Sequence, residues 1–257
     1  MSASAPVFRA VILLALALPA LAGCNGENEN TPPPKETPVS ITPIAGSTPI
    51  AGNPTANARK KAPSPPHGSG FDFYVLSLSW SPSWCLENDP GGRTMQCSAE
   101  KDHGFIVHGF WPQNEQGYPE FCRTRHPDRV PDALGRSLFD IMPSMGLIGH
   151  EWRKHGTCSG LGQKEYFALL RAAREKLAIP PALRSVKAER RTSPQEIEAQ
   201  LTDANPGLGS DGLSVTCDAG RIDEVRVCFE KDLSFRACRE IDRAGCRLRN
   251  PTLPAIP

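Results

Sequence analysis

Two short segments of this 257-residue chain carry side chains suited to acid–base chemistry on a phosphodiester. Residues 105–112 read F-I-V-H-G-F-W-P, and residues 150–158 read H-E-W-R-K-H-G-T-C. Together they hold three of the six histidines, one glutamate and one lysine. Cleaving a phosphodiester without a metal requires one imidazole that removes a proton, a second that supplies one, and a fixed cation that stabilises the charged oxygens. The residue types of the two segments meet that requirement.

The second segment is predicted to be helical, which places side chains four residues apart on one face. Glu151 then lies beside His155, and His150 lies beside Lys154. A carboxylate next to an imidazole fixes the ring's orientation and raises its pKa, so Glu151 is predicted to support His155. His150 and Lys154 form a candidate anion-binding pair, and no metal ion is needed.

A zinc metalloprotease is the main alternative for this segment, because its H-E-x-x-H motif also begins with His-Glu. Here the second histidine comes five residues after the first, which is roughly 140° around a helix. Lys154 stands where the metal ligand would be needed, and its charge would repel a divalent cation. The spacing therefore argues against a metal site.

The order and spelling of the two segments resemble those of the ribonuclease T2 family, the acid ribonucleases of fungi, plants and bacteria. In that family the segments read H-G-L-W-P and H-E-W-x-K-H-G-T-C. Here Phe110 replaces the leucine, and the second segment matches at every specified position. The resemblance implies an endoribonuclease that cleaves single-stranded RNA with low sequence specificity. The RNA 2′-hydroxyl would form a 2′,3′-cyclic phosphate, which is then hydrolysed to a 3′-phosphate.

The resemblance also implies roles for five residues. His155 would be the base and His108 the acid of the first step, and Glu151 and Lys154 would support His155 and stabilise the transition state. His150 would hold the phosphate, and no cofactor is implied. The alternative is a lipid-tethered binding module on a degraded ribonuclease scaffold. The presence of all five residues favours the enzyme.

The residues that would bind the base are less well specified. In many family members an acidic residue follows the first segment and helps to recognise the base, but here the position is Gln113, which leaves base preference open. Trp111 and Tyr118 are candidate stacking platforms, since an aromatic face accepts any base. Ordinary packing beneath the loop is the other interpretation of these two rings.

The elements that must position these residues are predicted from hydrophobic periodicity. Alternation predicts strands, and apolar spacing of three and four predicts helices. The strands are expected at residues 71–80, 105–110, 213–217 and 222–229, and the helices at residues 132–142, 165–179 and 193–202. Strands at both ends with helices between them predict an α+β fold with a mainly antiparallel sheet flanked by helices. The family resemblance implies the same fold.

The nine cysteines divide into one near the N-terminus, Cys24, and eight farther along the chain. Eight cysteines in an exported domain indicate a disulfide framework, but spacing alone allows 105 pairings. A zinc site is disfavoured, because no C-x-x-C pair occurs. The family resemblance implies three pairs and leaves a fourth: Cys122 with Cys158, Cys217 with Cys246, Cys228 with Cys238, and the remaining Cys85 with Cys97.

The first 24 residues resemble a bacterial lipoprotein signal. Arg9 precedes an apolar run too short to span a bilayer, and Leu-Ala-Gly then leads to Cys24, the predicted lipidation site. The alternative is an ordinary secretory signal cleaved near Ala20 or Ala22. Residues 25–70 are rich in Pro, Thr and Ser, contain no aromatic residue, and are predicted to be a disordered linker. Residues 71–257 then form the catalytic domain.

Charge and location limit the partners that the chain could have. The 29 Lys and Arg residues nearly balance the 28 Asp and Glu residues, so the chain lacks the basic excess of a protein that coats nucleic acid. An enzyme that acts on RNA needs only a local site. We expect a monomer that binds RNA as its substrate and contacts a membrane only through its N-terminal lipid anchor. The predicted location is the periplasmic face of the outer membrane, with a soluble periplasmic or secreted form as the alternative.

Overall fold

The computed structural model of the chain describes residues 67–98, 100 and 102–257. The strands are β1 Phe73–Trp80, β2 Phe105–Gln113, β3 Arg190–Arg191, β4 Leu213–Asp218, β5 Arg221–Phe229 and β6 Thr252–Leu253. The α-helices are α1 Ser81–Asn88, α2 Asp132–Arg136, α3 Met145–Lys154, α4 Gln163–Lys176, α5 Pro181–Arg184, α6 Pro194–Ala204 and α7 Arg239–Arg243. One 3₁₀ turn, Gly156–Ser159, follows α3 directly.

The strands of the described region form one sheet in the order β2-β1-β5-β6-β3, with β4 also paired to β5. The pairings are antiparallel except between β5 and β6. Strand β1 is buried at every position because β2 and β5 flank it and both of its faces are covered. The predicted α+β fold with a mainly antiparallel sheet is confirmed.

The two faces of β1 serve different purposes. One face carries Tyr74, Leu76, Leu78 and Trp80 into the main hydrophobic core, which also contains the apolar side of α4. Tyr166 of α4 donates a hydrogen bond to the Phe110 carbonyl at 2.7 Å, which links the helix to β2. The opposite face holds a smaller apolar cluster that includes Phe73 and Val75. The candidate site lies on this second face.

All four disulfides match the predicted pairings: Cys85–Cys97, Cys122–Cys158, Cys217–Cys246 and Cys228–Cys238. The second of them links the loop before α2 to the turn after α3. It therefore ties the end of the second active-site segment to a loop that neither segment contains.

Several predicted helices differ in extent from those observed. Helix α4 spans Gln163–Lys176, whereas the sequence predicts residues 165–179. Helix α2 ends at Arg136 and not near residue 142. Gly135 is a weak helix former, and the Ser137 hydroxyl donates to the Leu134 carbonyl at 2.6 Å, which satisfies that carbonyl outside a helix. Helix α3 begins at Met145, where the Ser144 side chain accepts a hydrogen bond from Leu147 N, and it ends at Lys154. His155 is therefore the residue that caps the helix.

Residues that precede Phe71 already contact the rest of the domain. Ser69 N donates to the Ser159 carbonyl at 3.0 Å, and His67 Nδ1 hydrogen-bonds to the Lys231 carbonyl at 2.7 Å. The predicted signal segment, Cys24 and most of the predicted linker lie outside the described residues. Within the described ranges, no helix has the length and apolar character needed to cross a membrane.

Candidate active site

His108 projects from an irregularity in the sheet. The β1–β2 register pairs Ser77 with Gly109 and Leu78 with Val107, so His108 is an extra residue with no partner in the register. Such a bulge bends the strand and redirects a side chain. The His108 side chain is 37% exposed, and the strand that carries it, β2, lies at the edge of the sheet. A rigid sheet thus presents one imidazole to solvent.

Gly109 allows Glu151 to approach the strand closely. A Cβ atom on Gly109 would lie 2.1 Å from Glu151 Oε2 and 2.2 Å from Trp111 Nε1. Both distances are too short for a van der Waals contact, so no side chain fits at this position. In the space left by the glycine, Trp111 Nε1 donates to Glu151 Oε2 at 2.9 Å. The other carboxylate oxygen, Oε1, is 4.0 Å from His108 Nε2. The glycine and tryptophan of the first segment therefore position the glutamate of the second.

Glu151 is paired with His108, and the predicted support of His155 by Glu151 is wrong. The helical spacing was correct, since His155 N donates to the Glu151 carbonyl at 2.9 Å. However, α3 ends at Lys154, and His155 is its C-cap residue, with φ −116° and ψ −46°. Burial raises the pKa of Glu151 to about 7, against the opposing effects of His108, the Trp111 hydrogen bond and Lys154.

His155 is nearly buried, with 3% of the residue exposed. Its ring lies 5.2 Å from the Trp111 ring and 5.8 Å from the Tyr118 ring, and its Nδ1 has no hydrogen-bond partner among the described residues. Burial, followed by the charges of Lys154, His108 and His150, lowers the pKa of His155 to about 3. The predicted rise in its pKa is therefore wrong, and the ring is held as the neutral imidazole.

His108 has the opposite environment, because of a residue that the sequence analysis missed. Its Nδ1 contacts Glu224 Oε1 on β5. Burial alone would lower the pKa of His108, but the hydrogen bond and charge of Glu224, together with the charge of Glu151, outweigh it and raise that pKa. Burial likewise opposes ionisation of Glu224, yet His108 and Arg226 lower its pKa to about 2. The surroundings of this imidazole therefore favour its protonated form.

Glu224 had one weak signal in the sequence. Strand β5 reads R-I-D-E-V-R-V-C-F. Glu224 and Arg226 lie on the same face of the strand as the buried Cys228, and the apolar residues between them lie on the opposite face. Two charged residues on a face that ends in a buried cysteine are unusual. Nothing in their spacing, however, connects them with His108, which precedes Glu224 by 116 residues.

Lys154 and His150 lie on the exposed side of α3. Lys154 Nζ is 3.8 Å from Glu120 Oε2 and 6.0 Å from the centre of the Tyr118 ring. His150 is exposed, and burial of its ring, followed by the charges of Lys154 and Arg153, lowers its pKa. The two residues lie one helical turn apart as predicted, and the Lys154 ammonium interacts with the carboxylates of Glu120 and Glu151.

The three candidate base-binding residues have different environments. Tyr118 is 48% exposed and presents a ring to solvent beside His155. Trp111 is packed, with the Arg226 guanidinium 5.2 Å from its ring centre and His155 nearby. Gln113 is 1% exposed and donates its amide N–H to the Gly117 carbonyl at 3.1 Å. Direct contact between Gln113 and a base is therefore not favoured, because its side chain is used to hold the loop that leads to Tyr118.

A cavity of about 490 Å³ opens beside His108. Its walls include Ser79, Trp84, Gln96, Met145 and Glu224. The volume lies in the range typical of small-molecule sites. No group of three or more metal-ligating side chains occurs in the described part of the chain.

Comparison with known protein families agrees with this geometry. Residues 71–238 match the model of the Ribonuclease T2 family. The chain belongs to the ribonuclease T2 family. Both active-site segments and Glu224 fall inside the matched region.

Relatives within the ribonuclease T2 family are bacterial and eukaryotic. The chain is 43% identical over 113 residues to a ribonuclease of Aeromonas hydrophila, covering 44% of this chain and 49% of that protein. It is 28% identical over 180 residues to a probable ribonuclease of Haemophilus influenzae, covering 65% of this chain and 61% of that protein. The matches thus span about half to three fifths of these two relatives.

Solved structures share the ribonuclease T2 fold. An RNase-related protein from Calystegia sepium aligns with a TM-score of 0.57 at 22% identity, covering 74% of this chain and all of that chain. RNase NT in complex with 5′-AMP aligns with a TM-score of 0.53 at 20% identity, covering 73% of this chain and all of that chain. At these identities the likeness concerns the fold.

Proposed function

We propose that this protein is an endoribonuclease that cleaves single-stranded RNA by metal-independent transphosphorylation. One observation carries the proposal: two imidazoles that both contact Trp111 have pKa values shifted in opposite directions by their surroundings. The ring centres of His108 and His155 lie 5.8 Å and 5.2 Å from that of Trp111. A neutral imidazole can accept a proton and a protonated one can donate it, which is the pair that this reaction requires.

In the first step, neutral His155 removes the proton of the RNA 2′-hydroxyl. The 2′-oxygen forms a bond to the adjacent phosphorus, the bond from phosphorus to the 5′-oxygen breaks, and protonated His108 gives its Nε2 proton to the departing oxygen. The products are a 2′,3′-cyclic phosphate and a free 5′-hydroxyl. Lys154, with His150 beside it, binds the non-bridging oxygens, where the positive charge of the ammonium stabilises the transition state more than the substrate.

In the second step the two histidines exchange roles. His108, now neutral, removes a proton from water, the water oxygen bonds to phosphorus, and His155, now protonated, returns a proton to the 2′-oxygen as its bond to phosphorus breaks. The product is a 3′-phosphate. DNA lacks the 2′-hydroxyl nucleophile and is not a substrate.

Glu151 acts between the two segments. Its contacts with His108 and Trp111 fix the separation of strand β2 and helix α3. When Glu151 is ionised, its negative charge also favours the protonated form of His108. We therefore assign Glu151 to the support of the acid and not of the base.

The proposal is tested with an oligonucleotide that contains one ribonucleotide in a DNA strand, incubated with the purified protein in excess EDTA. Cleavage should occur on the 3′ side of the ribonucleotide, and mass spectrometry should detect the cyclic phosphate before the 3′-phosphate. An otherwise identical strand with a 2′-O-methyl group at that position should stay intact. Cleavage of the methylated strand, or activity that requires added zinc after EDTA treatment, would contradict the proposal.

A further inference from the structure

Glu224 is a buried carboxylate outside both active-site segments that nevertheless contacts the ring of His108. It lies opposite Ser79 in the β1–β5 register and is 4% exposed. Its Oε1 is within hydrogen-bonding contact of His108 Nδ1 and accepts a hydrogen bond from the Ser79 hydroxyl at 3.3 Å. An ionised carboxylate is expensive to bury unless it is paired. Burial of Glu224 next to His108 therefore costs free energy, which its hydrogen bonds and ion pairs must offset.

Arg226 holds the other oxygen of the same carboxylate. Its Nε and Nη2 donate to Glu224 Oε2 at 3.0 Å and 2.8 Å. The guanidinium carbon also lies 5.2 Å from the centre of the Trp111 ring. With one oxygen fixed by Arg226, the carboxylate presents the other oxygen to His108. This contact fixes the orientation of the imidazole ring. Nδ1 faces β5, and Nε2 faces the side on which Glu151 lies, 4.0 Å away.

We propose that Glu224 is a positioning residue for the reaction: it accepts the hydrogen bond of His108 Nδ1–H and so leaves Nε2 as the nitrogen that donates a proton to the departing 5′-oxygen. The inference rests on the proposed function, because it assigns a supporting group to the acid of that reaction. Glu224 itself stays ionised throughout, and the proton that moves is the one on Nε2. The arrangement is the carboxylate–imidazole logic that fixes tautomer and orientation in other acid–base pairs.

The charged and titratable groups around His108 have distinguishable effects. Those that act on it are Glu224, Asp223 and Arg226 of β5, Glu151 and His150 of α3, and His155 at the end of that helix. Glu224 favours the imidazolium, whereas Arg226 opposes it. Removing Glu224 should therefore lower the pKa of His108, and removing Arg226 should raise it. A role for these residues in stability alone would not produce shifts of opposite sign.

The test measures the pKa of His108 by NMR in the full-length protein, with the ring signal assigned by its loss in His108→Ala. Glu224→Gln should lower this pKa by about one to two units, the change expected when a charge-assisted hydrogen bond becomes a neutral one. Arg226→Gln should raise it, and Glu224→Asp should restore part of the loss. Glu198→Gln is the matched control, because Glu198 is a partly buried carboxylate bonded to Val215 N on the same sheet, and it should leave His108 unchanged.

The kinetic part of the test measures the alkaline limb of the pH–rate profile on the single-ribonucleotide substrate. In Glu224→Gln this limb should move to lower pH by the same amount as the pKa of His108. An unchanged pKa in folded Glu224→Gln, or shifts of the same sign in Glu224→Gln and Arg226→Gln, would overturn the inference. If Glu224→Gln does not fold, Glu224→Asp and Arg226→Gln decide it by the sign of their shifts. A wild type that cleaves no RNA would defeat the proposed function, while the titration would still report on Glu224.

Discussion

His108 and His155 experience opposite electrostatic environments, and this difference sets the pH range in which both can act. His155 must be neutral, and burial lowers its pKa to about 3. His108 must be protonated, and the contact with Glu224, which outweighs burial, raises its pKa above the usual 6.5. As pH rises, activity should first appear as His155 loses its proton and should disappear only when His108 loses its own.

The pH dependence of kcat/KM, which reports the free enzyme, should therefore be a broad bell. Its acidic limb should lie well below pH 6.5 and its alkaline limb above that value. His67→Gln is a suitable control, because His67 bonds to a backbone carbonyl far along the chain and the amide can replace that donor. A narrow bell with both limbs close to pH 6.5 would show that the environments described here do not act on the reacting groups.

Gly109→Ala tests the close approach of the two segments. The added methyl group would meet the Glu151 carboxylate and the Trp111 ring nitrogen, so Glu151 must move away from His108. A displacement of about 1 Å in an active site can cost about 100-fold in rate, and a fall in kcat/KM of that order is expected. Gly91→Ala is the control, since its Cβ would meet only the Arg93 side chain at 3.8 Å. Equal activity of the two variants would argue against this role for Gly109.

Among the structural elements, the loop that contains Cys122 carries part of the site. The Cys122–Cys158 disulfide joins it to the turn that follows α3. Phe121 N donates to the Lys154 carbonyl at 2.8 Å, and the same loop places Glu120 3.8 Å from Lys154 Nζ. The disulfide fixes this loop to the end of the helix that carries His150, Glu151 and Lys154. It should therefore affect both stability and the placement of the cation.

Replacing Cys122 and Cys158 by serine should lower the free energy of unfolding by about 3 to 4 kcal/mol, as expected for residues 36 apart in sequence. The double replacement of Cys217 and Cys246, which are 29 apart, should cost a similar amount. At a temperature where both variants are folded, only the first should also lose activity, with KM raised because Lys154 and His150 are less well placed. Equal activity of the two folded variants would show that the disulfide is purely structural.

The sequence predicted the elements better than their ends. Local sequence pattern correctly placed β1, β2, β4, β5 and α6. The environment of His155 could not be predicted, since helical spacing placed Glu151 beside it while the helix ended one residue earlier, at Lys154. Glu224 was missed because its contact with His108 depends on the β1–β5 register and on a bulge in β2, both of which are tertiary features.

At the scale of the whole molecule, we propose that the domain is exported and held at a membrane by lipid on Cys24. The supporting feature is the lipobox-like Leu-Ala-Gly-Cys after an apolar run. Radioactive fatty acid supplied to the bacterial host should label the wild-type protein and not Cys24→Ser, and both should retain the four disulfides of the domain. A wild type that is unlabelled and soluble, with a mature N-terminus at another residue, would indicate an ordinary secretory signal.

The central claim is that His155 is the base and His108 the acid, and a change of leaving group tests it most directly. Uridine 3′-(p-nitrophenyl phosphate) releases nitrophenolate, which needs no proton from an acid, whereas an RNA dinucleotide releases a 5′-oxygen that does. On the dinucleotide, His108→Ala and His155→Ala should each lose several orders of magnitude in kcat/KM. On the nitrophenyl ester, His108→Ala should recover most of the wild-type rate, and His155→Ala should stay inactive. Recovery of His155→Ala in place of His108→Ala would contradict the assignment of the two histidines.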